Sequence, residues 1–355
     1  MQDTFPILGI DHLELYCGNA HQAAYFYRSA FGFRLTGYRG PEAGHHDEAS
    51  YLLEQGQVRL VLTTPLRHDH PAAEWIARHG DGVRDIALEV ESAEAAWRSA
   101  VDRGARSVLD PSTIEDSHGL MRRSAIQIYG NVIHSFIERK SYDGGFLPGF
   151  VPTAHDDPVA RPVGLKTVDH LVADVGRGEM NYWADFYKRV MGFDVLPGDG
   201  DDIYAGHSAL LSKPAARGDQ HITLPISEPA HDRKTSQIDD FLDYNLGPGV
   251  QHVALATPDI VATVGKLAAQ GVEFLQVPQS YYDELIARAG TIDEPLDDLA
   301  RLGILVDRDD EGYLLQIFTR PVSDRPTLCF EIIQRKGSRS FGKGSSTVPA
   351  EATER

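Results

Sequence analysis

The chain has 355 residues, 42% of them hydrophobic and 24% charged, with a formal charge of −18. That length suits two domains of about 150–170 residues, each with a core of its own. The acidic balance argues against a nucleic-acid partner and against an anionic membrane surface.

Read in chain order, the first segment GIDHLELYCGNAHQAAYFYRSAFGF (9–33) is a strand, a loop and an amphipathic helix ending near Gly-Phe. GDGVRDIALEVESAEAAWRSAVDRGARSV (80–108) follows as Gly-rich turn, apolar strand and helix, with a glycine stopping the helix before the next strand. NVIHSFIER (131–139) is a further strand. FLPGFVPTAHDDPVARPVG (146–164), rich in Pro and Gly and without helical or strand period, reads as a linker. The same three blocks then recur in the same order. They are TVDHLVADVGRGEMNYWADFYKRVMGF (167–193), GPGVQHVALATPDIVATVGKLAAQGVEFL (247–275) and TLCFEIIQR (327–335). Three matched blocks in one order indicate a duplication. The expected division is 1–145, a linker at 146–165, a second domain at 166–337 and a tail at 338–355.

The chemistry-bearing residues lie in the repeated strands. Glu331 sits in the middle of an apolar strand, where a carboxylate costs several kcal/mol to bury without a positive partner. His170 and His252 occupy similar settings. Two histidines and one carboxylate from three separate segments form the ligand set that holds non-heme Fe(II) and leaves positions open. The repeat serves as a control, because it sets His12 opposite His170, Asp85 opposite His252 and Ser135 opposite Glu331. Only the second half carries all three, so a site there is favoured over a requirement of the strands. His12 then reads as a structural relic. By strand alternation Phe330 points away from Glu331 and Cys329, into the core.

The blocks RHGDGVRDIALEV, KTSQIDDFLDYNLGPGVQHVALAT, LGILVDRDDEGYLLQIFTRP and FEIIQR carry a family resemblance over nearly the whole chain. The chain resembles the 4-hydroxyphenylpyruvate dioxygenase family, which includes hydroxymandelate synthase, within the vicinal oxygen chelate superfamily. The resemblance implies an α+β fold: two tandem vicinal-oxygen-chelate domains, each of paired βαβββ modules forming an open barrel. It implies Fe(II) on His170, His252 and Glu331, with a 2-oxo acid chelating the metal and dioxygen as co-substrate. Ser212, Gln237, Gln251 and Gln316 match positions where the family lines its substrate cavity, with Phe318 and Phe341 as nearby aromatics, and Phe341 reads either as part of a lid or as a packed C-terminal turn. His207 reads equally as a cavity or a surface residue.

Three positions depart from the family pattern. Ser227 replaces the Asn of a Pro-Ile-Asn-Glu-Pro run, Cys329 replaces a Phe, and Gly344-Ser345-Ser346 replaces Gly-Asn-Phe. The expected activity is conversion of 4-hydroxyphenylpyruvate to homogentisate, to which Pro225 inclines the reading. Benzylic hydroxylation to 4-hydroxymandelate, action on another aryl or alkyl oxo acid, and a non-catalytic ligand binder stand as alternatives. A homo-oligomer is expected from the resemblance. A cytoplasmic setting is expected because two cysteines form no disulfide framework and MQDTFPILGIDH has no basic-then-apolar leader.

Overall fold

The computed structural model describes residues 5–153, 156–196, 208–215, 221–229, 236–285 and 289–339. In the first half the chain runs β1 (Ile7–Tyr16), α1 (Ala20–Ser29), β2 (Arg34–Arg39), β3 (Glu48–Gln55), β4 (Val58–Pro65) and α2 (Pro71–His79). It continues as β5 (Gly82–Val90), α3 (Ala93–Asp102), β6 (Ser107–Asp116), β7 (Gly119–Gln127), β8 (Ile133–Glu138) and β9 (Val151–Pro152). The second half repeats this with β10 (Thr167–Asp174), α4 (Met180–Phe186), β11 (Asp194–Leu196), β12 (Ser208–Pro214), β13 (His221–Ser227) and α5 (Gln237–Asn245). β14 (Gly249–Ala256) and α6 (Ile260–Ala269) follow, then the short α7 (Gln279–Asp283) and α8 (Leu296–Leu302), and finally β15 (Leu305–Arg308), β16 (Tyr313–Phe318) and β17 (Cys329–Lys336).

Two mixed sheets result. Their orders are β6-β7-β8-β5-β1-β4-β3-β2-β9 and, read in the same sense, β15-β16-β17-β14-β10-β13-β12-β11. Apart from β9 the two are identical, and the parallel pairs β1·β4 and β5·β8 recur as β10·β13 and β14·β17. Each half is thus two βαβββ modules, as the duplication implies. Gly32 and Gly192 lie shortly after the first helix of each half at φ +74° and +72°, a left-handed turn that glycine adopts freely. That turn drops Phe33 and Phe193, both fully buried, into the core.

One face of each sheet, together with its helices, contributes to a single core spanning both halves. Phe330 lies in it, with ring centroids 5.1 Å from Phe31 and 5.7 Å from Tyr27, both from the first half. The expected linker is more than a spacer. Val151–Pro152 adds a short edge strand beside β2, and Phe146, Leu147 and Phe150 pack on Leu52 and Val61. Phe146 also meets the His12 ring edge-on at 5.1 Å, so the linker fills the concave face of the first sheet. No described helix is long and apolar enough to cross a membrane.

Because Phe330 ties β17 to the first half, Phe330→Ala is expected to cost about 3–5 kcal/mol of stability, measured by urea unfolding. A loss below about 1 kcal/mol contradicts a shared core.

Candidate metal centre

Two β-bulges set up the site. In β10, pairing with β14 jumps from Val168 to His170, leaving Asp169 as the extra residue. A bulge brings neighbouring side chains toward one face, where simple alternation would separate them. Asp169 therefore reaches the ring of the next residue: His170 Nδ1–H donates to Asp169 Oδ1 at 2.7 Å. Arg335 at the end of β17 grips the same carboxylate with two hydrogen bonds of 2.8 Å. On β14 the extra residue is Gln251, whose side-chain oxygen accepts from His252 Nδ1. Both histidines therefore have Nδ1 engaged and present Nε2, the second-shell arrangement that fixes tautomer and ring orientation at metal sites.

Register aligns the three candidate ligands on one face, since His170 pairs with Ala254 and Ala254 with Glu331, while His252 pairs with Cys329. Glu331 Oε2 lies 3.1 Å from His170 Nε2 and 3.4 Å from His252 Nε2. All three side chains are buried, Glu331 at 1% exposure. Their donor atoms fall within 4.8 Å of one another, and no other such group of three His, Cys, Asp or Glu occurs among the described residues. Glu331 Oε1 is buried without a hydrogen-bond partner. A buried carboxylate with one oxygen against two Nε2 atoms and the other orphaned is what a divalent cation would satisfy, so the residues fit a metal. Neutral imidazole and carboxylate donors suit a divalent first-row metal.

Electrostatics reflect the same crowding. Burial opposes charge on Glu331, but His170 and His252 overcome it and hold the carboxyl at about 2. Burial likewise opposes charge on His170, yet Glu331 and Asp169 together raise it to about 9. His252, where burial dominates, is lowered. Burial pushes the Cys329 thiol up to about 12, with Glu331 and Asp174 adding to the effect, so it stays protonated.

The other expected site residues fall in different places. Phe318 is half-buried and meets the His252 ring edge-on at 5.3 Å. Gln316, at 2% exposure, has its Nε2 without a hydrogen-bond partner. Ser227 is half-buried at the end of β13, and Cys329 lies beside His252 in register. Gln251 is engaged with a ligand ring rather than standing free for substrate. Gln237, the first residue of α5, is exposed. Ser212 belongs to β12 and pairs with Thr223, which is all that is described of it. Phe341, His207 and Gly344-Ser345-Ser346 lie outside the described residues.

The first half retains the scaffold without the donors. Asp11 is bulged before His12 as Asp169 is before His170, and it bonds His12 Nδ1 at 2.6 Å and Arg139 Nη2 at 2.7 Å. Asp85, however, is closed onto Ser135, accepting from its backbone N–H at 2.9 Å and from its hydroxyl. The Asp-His-Arg support was missed in the sequence reading, although Asp precedes His and Arg ends the last block in both repeats.

Comparison with known proteins identifies the family. Residues 11–120 and 167–317 each match a model of the Glyoxalase/Bleomycin resistance protein/Dioxygenase superfamily. The 4-hydroxyphenylpyruvate dioxygenase of Yarrowia lipolytica is 41% identical over 98% of this chain and 91% of its own. That of Tetrahymena thermophila is 42% identical over 95% and 87%. The chain belongs to the 4-hydroxyphenylpyruvate dioxygenase family. A triple mutant of 4-hydroxymandelate synthase from Streptomyces coelicolor superposes with a TM-score of 0.85 at 32% identity, covering 99% of both chains. As a member of this family the chain is a metal-dependent dioxygenase acting on a small molecule and oxygen.

Two outcomes follow for metal binding. Asp169→Asn leaves the ligands in place but loosens His170, and is expected to weaken metal affinity by about 10–100-fold, read by calorimetric titration of apoprotein with Co(II). In the apoprotein His170 holds a proton up to about pH 9, and the metal must displace it. Apparent affinity should therefore rise about tenfold per pH unit from pH 6 and flatten near pH 9. An affinity independent of pH contradicts ligation through His170.

Proposed function

We propose that this chain is an Fe(II)-dependent dioxygenase that converts 4-hydroxyphenylpyruvate, which is itself the 2-oxo acid, and dioxygen into homogentisate and CO2. The observation that carries the reading is the buried carboxylate of Glu331, lying against two histidine Nε2 atoms with its second oxygen unsatisfied. His170, His252 and Glu331 would hold the iron. When bound, the iron supplies adjacent open positions for a chelating oxo acid and for oxygen, together with the redox chemistry of oxidative decarboxylation.

The protein's own contribution is placement. Asp169 with Arg335, and Gln251, keep the two rings from rotating, so the ligand geometry is set before substrate arrives. Phe318 covers one side of His252 and excludes water there. Gln316 offers an unspent amide donor on the metal-bearing face, a neutral group that orients substrate without adding charge. Cys329, a small protonated thiol, leaves room where the family pattern has an aromatic ring. Ser212, Ser227, Gln237 and Phe341 complete the proposed substrate set. Pro225 is buried on β13 between the core residues Leu224 and Ile226, and the family resemblance at this position inclines the reading to attack on the ring over the benzylic carbon. A cytoplasmic homo-oligomer is the expected form, checked by light scattering and cell fractionation.

The test is product identification by mass spectrometry and NMR from Fe(II)-loaded protein, 4-hydroxyphenylpyruvate and air. Homogentisate is expected. 4-Hydroxymandelate would move the attack to the benzylic carbon and contradict the regiochemistry. Glu331→Ala should lower turnover by more than about 100-fold, beyond the loss of an outer partner, and full turnover would sink the metal assignment.

A further inference from the structure

Asp174 closes β10, four residues beyond His170. Leu171 and Ala173 of the same strand, and Val175 just after it, all lie in the shared core. Alternation therefore turns His170, Val172 and Asp174 to the opposite side, the face that carries the candidate ligands. Val172 pairs with His252, so Asp174 stands one further step along that face, about 7 Å of strand. That is the length scale of a para-substituted phenyl ring extending from a chelated oxo acid.

The surroundings of this carboxyl are unusual for an acid. Its exposure is 1%, and Oδ2 has no hydrogen-bond partner among the described residues. No described cation pairs with it, and burial alone pushes it up to about 8. Across the strands its register partners are Ser227 on one side and Gly249 on the other. A Cβ at Gly249 would lie 2.6 Å from Asn245 Nδ2 and 3.3 Å from Phe241 Cζ, so α5 closes over this end of the sheet. Cys329, next to the ligand set, lies within electrostatic reach of Asp174. A buried polar atom left without a partner costs about 1–3 kcal/mol, and no contact within the described fold offsets that cost. The Glu331 site does not need it either, since Asp169 and Gln251 already support the ligand rings.

Resting on the functional reading above, we propose that Asp174 is a specificity-determining residue whose carboxyl hydrogen-bonds the distal hydroxyl of a chelated aryl 2-oxo acid. A neutral carboxyl both donates and accepts, so it matches a phenol hydroxyl in either sense. A site built around such a bond discriminates strongly against the analogue lacking the hydroxyl, because the buried group is then left unpaired.

The experiment is anaerobic calorimetric titration of Fe(II)-loaded wild type, Asp174→Asn and Asp174→Leu with 4-hydroxyphenylpyruvate and phenylpyruvate, alongside kcat/KM for both substrates in air. Wild type should prefer the hydroxylated acid. Asp174→Leu should reduce that preference at least tenfold, chiefly by weakening 4-hydroxyphenylpyruvate, while Asp174→Asn keeps it within threefold. Asp174→Ala serves the same purpose if the leucine variant does not fold. A preference unchanged in the apolar variants, or an equal loss for both acids, overturns the proposal and leaves the functional reading standing. Wild-type protein that binds neither acid overturns both.

Discussion

A carboxylate buried at the centre of a sheet governs this molecule. Glu331 is removed from water on a strand whose neighbours are core residues, and by itself that would cost several kcal/mol. The two imidazoles against it supply the compensation, and each is held by a further polar partner, Asp169 with Arg335 on one side and Gln251 on the other. Nothing in this chain of contacts is independent. A mobile His170 would leave Glu331 with half its compensation, and an unpaired Asp169 would leave His170 free to turn. Both bulges that make the contacts reachable lie on the β10–β14 pair, so backbone irregularity and chemistry are the same feature seen at two scales.

The duplication shows which parts belong to the fold and which to the site. Asp11, His12 and Arg139 reproduce Asp169, His170 and Arg335 down to the bulge, so this arrangement is part of the sheet's construction. What the first half lacks is the remaining donors, and what it has instead is a plug: Phe146 against His12, with Leu147 and Phe150 behind it. Strand ends show the same sharing of structural roles. Glu138 accepts from the first backbone N–H of α3, and Gln334, its counterpart, from that of α6. Function was therefore concentrated in one copy while the other became support, packed to it through Phe330, Phe31 and Tyr27.

Much of this was legible in the chain. The repeated blocks carried the duplication, because they recur in the same order, and the burial of Phe330 followed from alternation beside Glu331. The three candidate ligands stood out because their residue types are expensive in apolar strands. Less legible were contacts that depend on bulges: alternation places Asp169 on the face opposite His170, and only the extra residue turns it back. Gln251 was read from the family resemblance as facing substrate, because its contact with the neighbouring ring cannot be seen from spacing alone. Asp174 went unnoticed because one acid at a strand end resembles any solvated turn residue, and its burial depends on α5 folding over Gly249. The linker's aromatic residues were similarly hidden by its Pro and Gly content, which signals irregular backbone and says nothing about where side chains pack.

The central claim is that one metal ion sits in the second half alone, bound by three strands. Anomalous diffraction at the iron edge from crystals of Fe(II)-loaded protein tests it directly. A single peak per chain is predicted, in contact with His170 Nε2, His252 Nε2 and the Glu331 carboxylate. A peak at His12 and Asp85, or one away from Glu331, would contradict the account.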